Sequence, residues 1–226
     1  MKKIILVIAL GFVPVVAFAA GGGDHPLVVK YKKQLDVNLE NKDSLRNGAK
    51  LFANYCLSCH SAAYMRYNRM GKDLGLSDEQ VVNNLMFVAD FSNEDKPEGT
   101  AKNPGSLMTV AMQSKDAKKW FGTAVPDLSV VARSRGAQWL YAYLNTFYKD
   151  DSRPVGVNNL TFANVGMPHV LWDLQGIKEA KYETHTGKDG KEHKEIVALE
   201  TVVEGSMSDT EYEKATNDLV NFLVYM

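Results

Sequence analysis

Cys56-Leu57-Ser58-Cys59-His60 decides how this chain of 226 residues is read. Each position in C-x-x-C-H has a chemical reason. Two thiols three residues apart on a helical turn both reach the vinyl groups along one edge of a porphyrin. The next residue is then held over the iron, where a histidine offers a ring nitrogen as proximal ligand. The chain has two cysteines, and a structural disulfide between them would close almost no loop and stabilise little. A thioredoxin-like redox pair would be expected in a βαβ context, whereas an amphipathic helix precedes this one. A zinc site needs further ligands at suitable spacing, and His169, His185 and His193 do not form such a set. The motif therefore reads as the attachment site of one covalent c-type haem, with Cys56 and Cys59 as tethers and His60 as the first iron ligand.

Upstream of the motif, Leu45, Ala49, Phe52, Cys56 and Cys59 recur at helical spacing, with Ser44 as N-cap. Residues 21–42 form a Gly-rich, charged lead-in that reads as extended or loosely ordered. Downstream, Ser77-Asp78-Glu79-Gln80 is a capping-box pattern. It opens a second helix whose apolar face runs through Val81, Val82, Leu85, Met86 and Ala89. Residues 91–105 hold Pro97 and Pro104 and read as loop, and residues 126–135 as a connector. A third helix places Leu140, Tyr143, Leu144 and Phe147 on one face with Trp139 beside them. Residues 150–166, rich in Gly, Asn and Pro, read as irregular. Residues 176–205 read as a charged β-hairpin insertion turning at Lys188-Asp189-Gly190-Lys191. Ser208 and Glu211 cap a last helix with Tyr212, Ala215, Leu219, Phe222, Leu223 and Met226 inward. There is no internal repeat and no domain linker. Helices separated by long irregular loops suit a chain wrapped around a cofactor that supplies part of its core.

The N-terminus has its own logic. Met1-Lys2-Lys3, an apolar run from Ile4 to Phe18 and the small-x-small Ala17-Phe18-Ala19 form the layout of a secretory signal peptide over residues 1–19. The run is short for a span of roughly 20 residues, so cleavage after Ala19 is expected rather than anchoring. Cleavage removes two of the 26 basic residues and none of the 27 acidic ones, leaving residues 20–226 with a formal charge near −3. No basic patch is available for phosphates, so nucleic acid is not an expected partner. Apolar residues at 45% and charged residues at 23% are those of a soluble globular domain.

A methionine opposite the histidine raises the haem potential and suits electron transfer; an open position suits gas binding or catalysis. Met86 and Met226 fall on apolar helix faces and read as core, and Met65 and Met70 lie too close to His60 to reach the other haem face. Met167 is the best candidate, in Asn164-Val165-Gly166-Met167-Pro168-His169, where Gly166 allows close approach and Pro168 stiffens the loop. His169 is its rival, and core filling is the plainer reading of any single methionine.

Several stretches resemble the cytochrome c1 family, the haem subunits of bacterial quinol–cytochrome c oxidoreductases (bc1 complexes). They are residues 45–69 around the haem motif, Val125-Pro126-Asp127-Leu128-Ser129 running on to Arg133-Ser134-Arg135, the Gly166-Met167-Pro168 turn, and Met207-Ser208 before the last helix. C-x-x-C-H is common to all c-type cytochromes, whereas the Pro-Asp-Leu-Ser run with its two arginines is far more specific. The resemblance implies a mainly α class I c-type cytochrome fold with long loop insertions and the small hairpin. It implies Met167 as axial ligand, Arg135 as partner of a haem propionate, and Trp139 as an aromatic near that propionate. The site residues are therefore Cys56, Cys59, His60, Met167, Arg135 and Trp139, with His60 and Met167 on the iron.

The implied function is electron transfer from a Rieske iron–sulfur protein to a soluble c-type cytochrome, beside cytochrome b in a dimeric complex at the periplasmic face of a bacterial inner membrane. The haem itself would perform no bond chemistry. The resemblance also implies a membrane anchor after the last helix, and the sequence stops at Met226, where that anchor would begin. A free periplasmic carrier, and a haem enzyme or sensor with an open sixth site, are the alternatives. An apolar span following residue 226 would decide against the first.

Overall fold

The computed structural model describes residues 25–87, 102–110, 112, 114–186 and 190–226. The signal-peptide stretch, Ala89, most of the 91–105 loop and the Lys188-Asp189 part of the hairpin turn lie outside these residues.

The lead-in is not all extended: it contains α1 (Pro26–Gln34). Pro26 presets the first turn, the His25 side chain caps it by accepting the Leu27 amide at 3.2 Å, and Val28 and Tyr31 are buried. Helix α2 (Lys42–Leu51) begins earlier than Ser44 would place it. Its cap is Asn41, whose side-chain oxygen accepts the Ser44 amide at 3.1 Å. Ser44 lies inside the helix, buried, with its hydroxyl engaged elsewhere. The helix then widens into a π-helical turn, Phe52–Cys56, closed by the Leu57 amide on the Phe52 carbonyl at 2.9 Å. The cysteine motif thus starts on a π turn.

Strand β1 (Ala62–Arg66) and helix α3 (Tyr67–Leu74) follow directly. Helix α4 (Asp78–Asn84) carries the expected capping box, with both reciprocal bonds formed between Ser77 and Gln80. Leu85 and Met86 are buried just past its end. Strand β2 (Leu107–Met108) pairs antiparallel with β1. Next come α5 (Ser114–Phe121), α6 (Val131–Arg135) within the expected connector, and α7 (Ala137–Asn145). Phe147, expected on the inner face of α7, instead belongs to β3 (Phe147–Lys149) and is buried there. Strand β4 (Val157–Asn159) pairs with β3. After α8 (Trp172–Gln175), β5 (Gly176–Thr186) and β6 (Glu192–Glu204) form the anticipated antiparallel hairpin. Helix α9 (Asp209–Tyr225) opens on the Ser208–Glu211 capping box. The architecture is mainly helical, with three two-stranded sheets among the described residues. No described helix is long and apolar enough to cross a membrane.

The α2–α9 pair organises the core. Gly48 faces α9 so closely that a Cβ there would run into the Asp218 carbonyl oxygen and lie 2.6 Å from the Phe222 Cβ. Phe52 and Phe222 meet beside it with centroids 5.6 Å apart. A polar seam crosses the same contact. Buried Asp218 accepts from Ser44 Oγ at 2.6 Å, Asn47 Nδ2 at 2.8 Å and Lys214 Nζ at 2.8 Å, while Asn221 Nδ2 donates to Ser44 Oγ at 2.8 Å. A buried carboxylate is tolerable only with such partners. Helix α7 lies against α9 through the Tyr212 hydroxyl, which donates to the Leu144 carbonyl at 2.9 Å. Tyr31 of α1 meets Tyr141 of α7 edge-on at 6.1 Å. Met86 is a core residue, as expected, Met226 packs partly buried against the core, and Met70 is fully buried.

Candidate haem centre

The Pro126-Asp127-Leu128-Ser129 run has a mechanical role: it clamps the segment that follows the cysteines. The Pro126 carbonyl lies 2.8 Å from His60 Nδ1. The Leu128 amide donates to the Ser61 carbonyl at 2.8 Å. One oxygen of Asp127 accepts the Ala63 amide at 2.9 Å and the other the Ser129 amide at 2.8 Å, while Ser129 Oγ accepts the Tyr64 amide at 3.1 Å. Burial works against the charge on Asp127, yet the hydrogen bonds from Ser129 and Ala63 hold its carboxyl below the usual range.

A carbonyl can only accept, so His60 Nδ1 carries the proton and Nε2 keeps its lone pair. Burial lowers the His60 pKa against the pull of Pro126 and Asp127, favouring the neutral ring. Neutral imidazole, oriented by a backbone carbonyl through its other nitrogen, is the form that binds metals.

His60 and Cys59 line a largely apolar cleft, together with Val125, Pro126, Gly166 and Met167. Met167 reaches it from a loop that turns at Asn164, which adopts φ 61° with its amide bonded to Asn158 Oδ1 at 2.8 Å. Asparagine is among the few residues that tolerate that left-handed region. An added Cβ on Gly166 would meet Thr123 Cγ2 at 3.7 Å and the Phe121 carbonyl at 3.8 Å, which are ordinary contacts.

Cys59, His60 and Met167 are thus brought to one cleft, separated in sequence by more than a hundred residues. Cys56 is buried at the end of the π turn, its thiol pushed up to about 12 by burial and by Cys59. Both thiols are free. His169 does not line this cleft. It stacks on Phe147 at 4.8 Å and 5°, and burial lowers its pKa to about 4.

Arg135 and Trp139 sit together one step away. The guanidinium lies 5.0 Å above the Trp139 ring and 5.5 Å above Phe162. Trp139 stacks on Tyr143 at 5.0 Å and 10°, and the Tyr143 hydroxyl donates to Met167 Sδ at 3.4 Å. A contiguous column therefore runs Arg135–Trp139–Tyr143–Met167. Tyr143 was anticipated only as helix-face packing, and Asp127 and Pro126 only as parts of a recognisable run. Their partners lie 24 to 66 residues away in sequence, beyond what spacing reveals.

The model of the cytochrome C1 family matches residues 36–225. The chain belongs to that family. It is 44% identical over 225 residues to "Cytochrome c1" of Allochromatium vinosum, covering 100% of this chain and 84% of that protein. It is also 40% identical over 221 residues to "Ammonia monooxygenase gamma subunit" of Nitrosomonas europaea, covering 98% of this chain and 81% of that protein. Membership of the cytochrome c1 family implies a c-type haem and an electron-transfer role within a bc1 complex. The residues present fit that group. The cleft is largely apolar, it offers an imidazole whose Nδ1 is committed to a carbonyl and a soft thioether, and the Cys59 thiol lines it, with Cys56 buried three residues before.

Proposed function

We propose that this cytochrome c1 family chain carries one haem c bound covalently through Cys56 and Cys59, with His60 and Met167 as axial ligands. In this reading it takes electrons from a Rieske iron–sulfur protein and passes them to a soluble c-type cytochrome. It works beside cytochrome b in a dimeric complex at the periplasmic face of a bacterial inner membrane. Residues 1–19 direct export, residues 20–226 form a class I c-type cytochrome domain, and residues 176–205 are an insertion in it.

The observation that carries the reading is the shared cleft of Cys59, His60 and Met167, with His60 Nδ1 committed to Pro126. Bound haem supplies a one-electron ferric/ferrous couple. The chain supplies the rest. His60 is held in one tautomer, Met167 offers a neutral sulfur that favours the reduced metal, and the apolar walls limit water. Arg135 has a fork suited to a propionate carboxylate, and its guanidinium lies over the faces of Trp139 and Phe162. The monooxygenase name of the Nitrosomonas relative would call for an oxygen-activating site. A thioether on the same cleft as His60 favours electron transfer instead.

The reading is tested in two steps. On denaturing gels stained for haem peroxidase activity the chain should retain haem, and the double variant Cys56→Ala, Cys59→Ala should not. In Met167→Leu the sulfur-to-iron charge-transfer band should vanish, carbon monoxide should bind, and the midpoint potential should fall. Haem retained on the denatured double variant would refute the attachment, and a surviving band would refute the ligand.

A further inference from the structure

We propose that Tyr143 is a positioning residue for Met167: its phenol hydrogen bond fixes the sulfur and weakens it as a donor to ferric iron, biasing the couple toward the ferrous form. This inference rests on the reading of Met167 as axial ligand.

The Tyr143 hydroxyl makes its one hydrogen bond among the described residues to Met167 Sδ, at 3.4 Å. A thioether is a weak acceptor, so a half-buried hydroxyl directed at it alone gains little stability. The ring does not need the hydroxyl for its placement. Trp139 stacks on one side at 5.0 Å, Phe147 meets it edge-on at 5.1 Å, and the Tyr143 carbonyl accepts Asn159 Nδ2 at 2.8 Å. Phenylalanine would pack equally well there, which makes the effect of the hydroxyl separable from packing.

The electronic argument follows from the atoms. A thioether sulfur has two lone pairs, and a ligand sulfur can give one to iron while the other accepts the phenol proton. The hydrogen bond draws density from sulfur, and the more highly charged ferric state loses more by this than the ferrous state. Partners of a ligand tune the metal in this way.

The holoprotein is titrated for its ferric/ferrous equilibrium, and the charge-transfer band of the ferric form is recorded, in wild type and in Tyr143→Phe. A second protein carries a fluorine at carbon 3 of the Tyr143 ring, which makes a stronger donor of nearly the same shape. In Tyr143→Phe the preference for the ferrous form should fall roughly threefold, toward the lower end of what one neutral hydrogen bond contributes, with the band retained but displaced. Fluorination should move both readouts the opposite way. If the equilibrium is unchanged in Tyr143→Phe, the inference is overturned and Met167 ligation stands. If the equilibrium shifts while the band keeps its position, the hydroxyl acts on another haem group and the inference is overturned. A wild-type protein without the band overturns the ligand and the inference together. Should Tyr143→Phe fail to fold, the fluorinated protein decides by the same two readouts.

Discussion

Replacing Gly48 by alanine adds one methyl group at the closest approach of α2 and α9. In an open helix the change would be favourable by up to about 1 kcal/mol, because alanine is the better helix former. Here the new Cβ would overlap the Asp218 carbonyl oxygen and stand 2.6 Å from the Phe222 Cβ, where carbon atoms rest at about 3.5–4.0 Å. Helix α9 must therefore retreat by roughly an ångström. That retreat stretches the 2.6 Å bond from Ser44 to Asp218 and parts Phe52 from Phe222. Overpacking costs about 1–3 kcal/mol, and weakening a charged hydrogen bond adds up to about 1.5–3 kcal/mol. Against the helix-propensity gain, the expected net loss is about 2–4 kcal/mol, a large share of a typical folding stability of roughly 5–15 kcal/mol. Urea titration of the holoprotein, followed by far-ultraviolet circular dichroism, measures it directly. Gly71→Ala is the graded comparison: its Cβ would meet Val81 Cγ2 at 2.6 Å, a side-chain methyl that can rotate away, so its loss should be smaller. Gly48→Ala at wild-type stability or above, or no worse than Gly71→Ala, would refute the steric account.

Two further substitutions probe the candidate site. Arg135→Ala removes a cation packed on Trp139 and Phe162 and should lower the midpoint potential, because the ferric state carries the extra positive charge. Arg133→Ala should leave the potential nearly unchanged, and equal shifts in a redox titration would sink the distinction. Asp127→Ala strips the acceptors from the Ala63 and Ser129 amides and should cost about 1–2 kcal/mol in urea. A midpoint identical to wild type would show that the clamp on residues 60–64 does not depend on this carboxylate.

How much was legible depended on the range of the determining interactions. Two capping boxes, at Ser77 and Ser208, were readable because donor and acceptor lie three residues apart. The hairpin was readable because its strands are sequential. Ser44 misled because its hydroxyl, chemically fit for a cap, instead bonds Asp218 across 174 residues, leaving the cap to Asn41. Helix α1 escaped notice because only Val28 and Tyr31 are buried, with Tyr31 set against Tyr141 of a distant helix. Helix α3 escaped because Tyr67-Asn68-Arg69-Met70-Gly71 mixes polar residues with an internal glycine, and its burial comes from tertiary packing. At the site the chemistry was local and the geometry was not. The cysteine motif declares itself, whereas the tie from His60 to Pro126 spans 66 residues and that from Tyr143 to Met167 spans 24.

The π turn at Phe52–Cys56 amounts to one residue inserted into a helix, and each helical residue rotates the chain by about 100°. The inserted residue uncouples two directions that a continuous α-helix would lock together. One is the face that α2 turns toward α9; the other is the bearing on which Cys56, Cys59 and His60 leave the helix. Deleting a single residue from this turn would join the two again and swing the motif about a quarter-turn away from the loop that carries Met167.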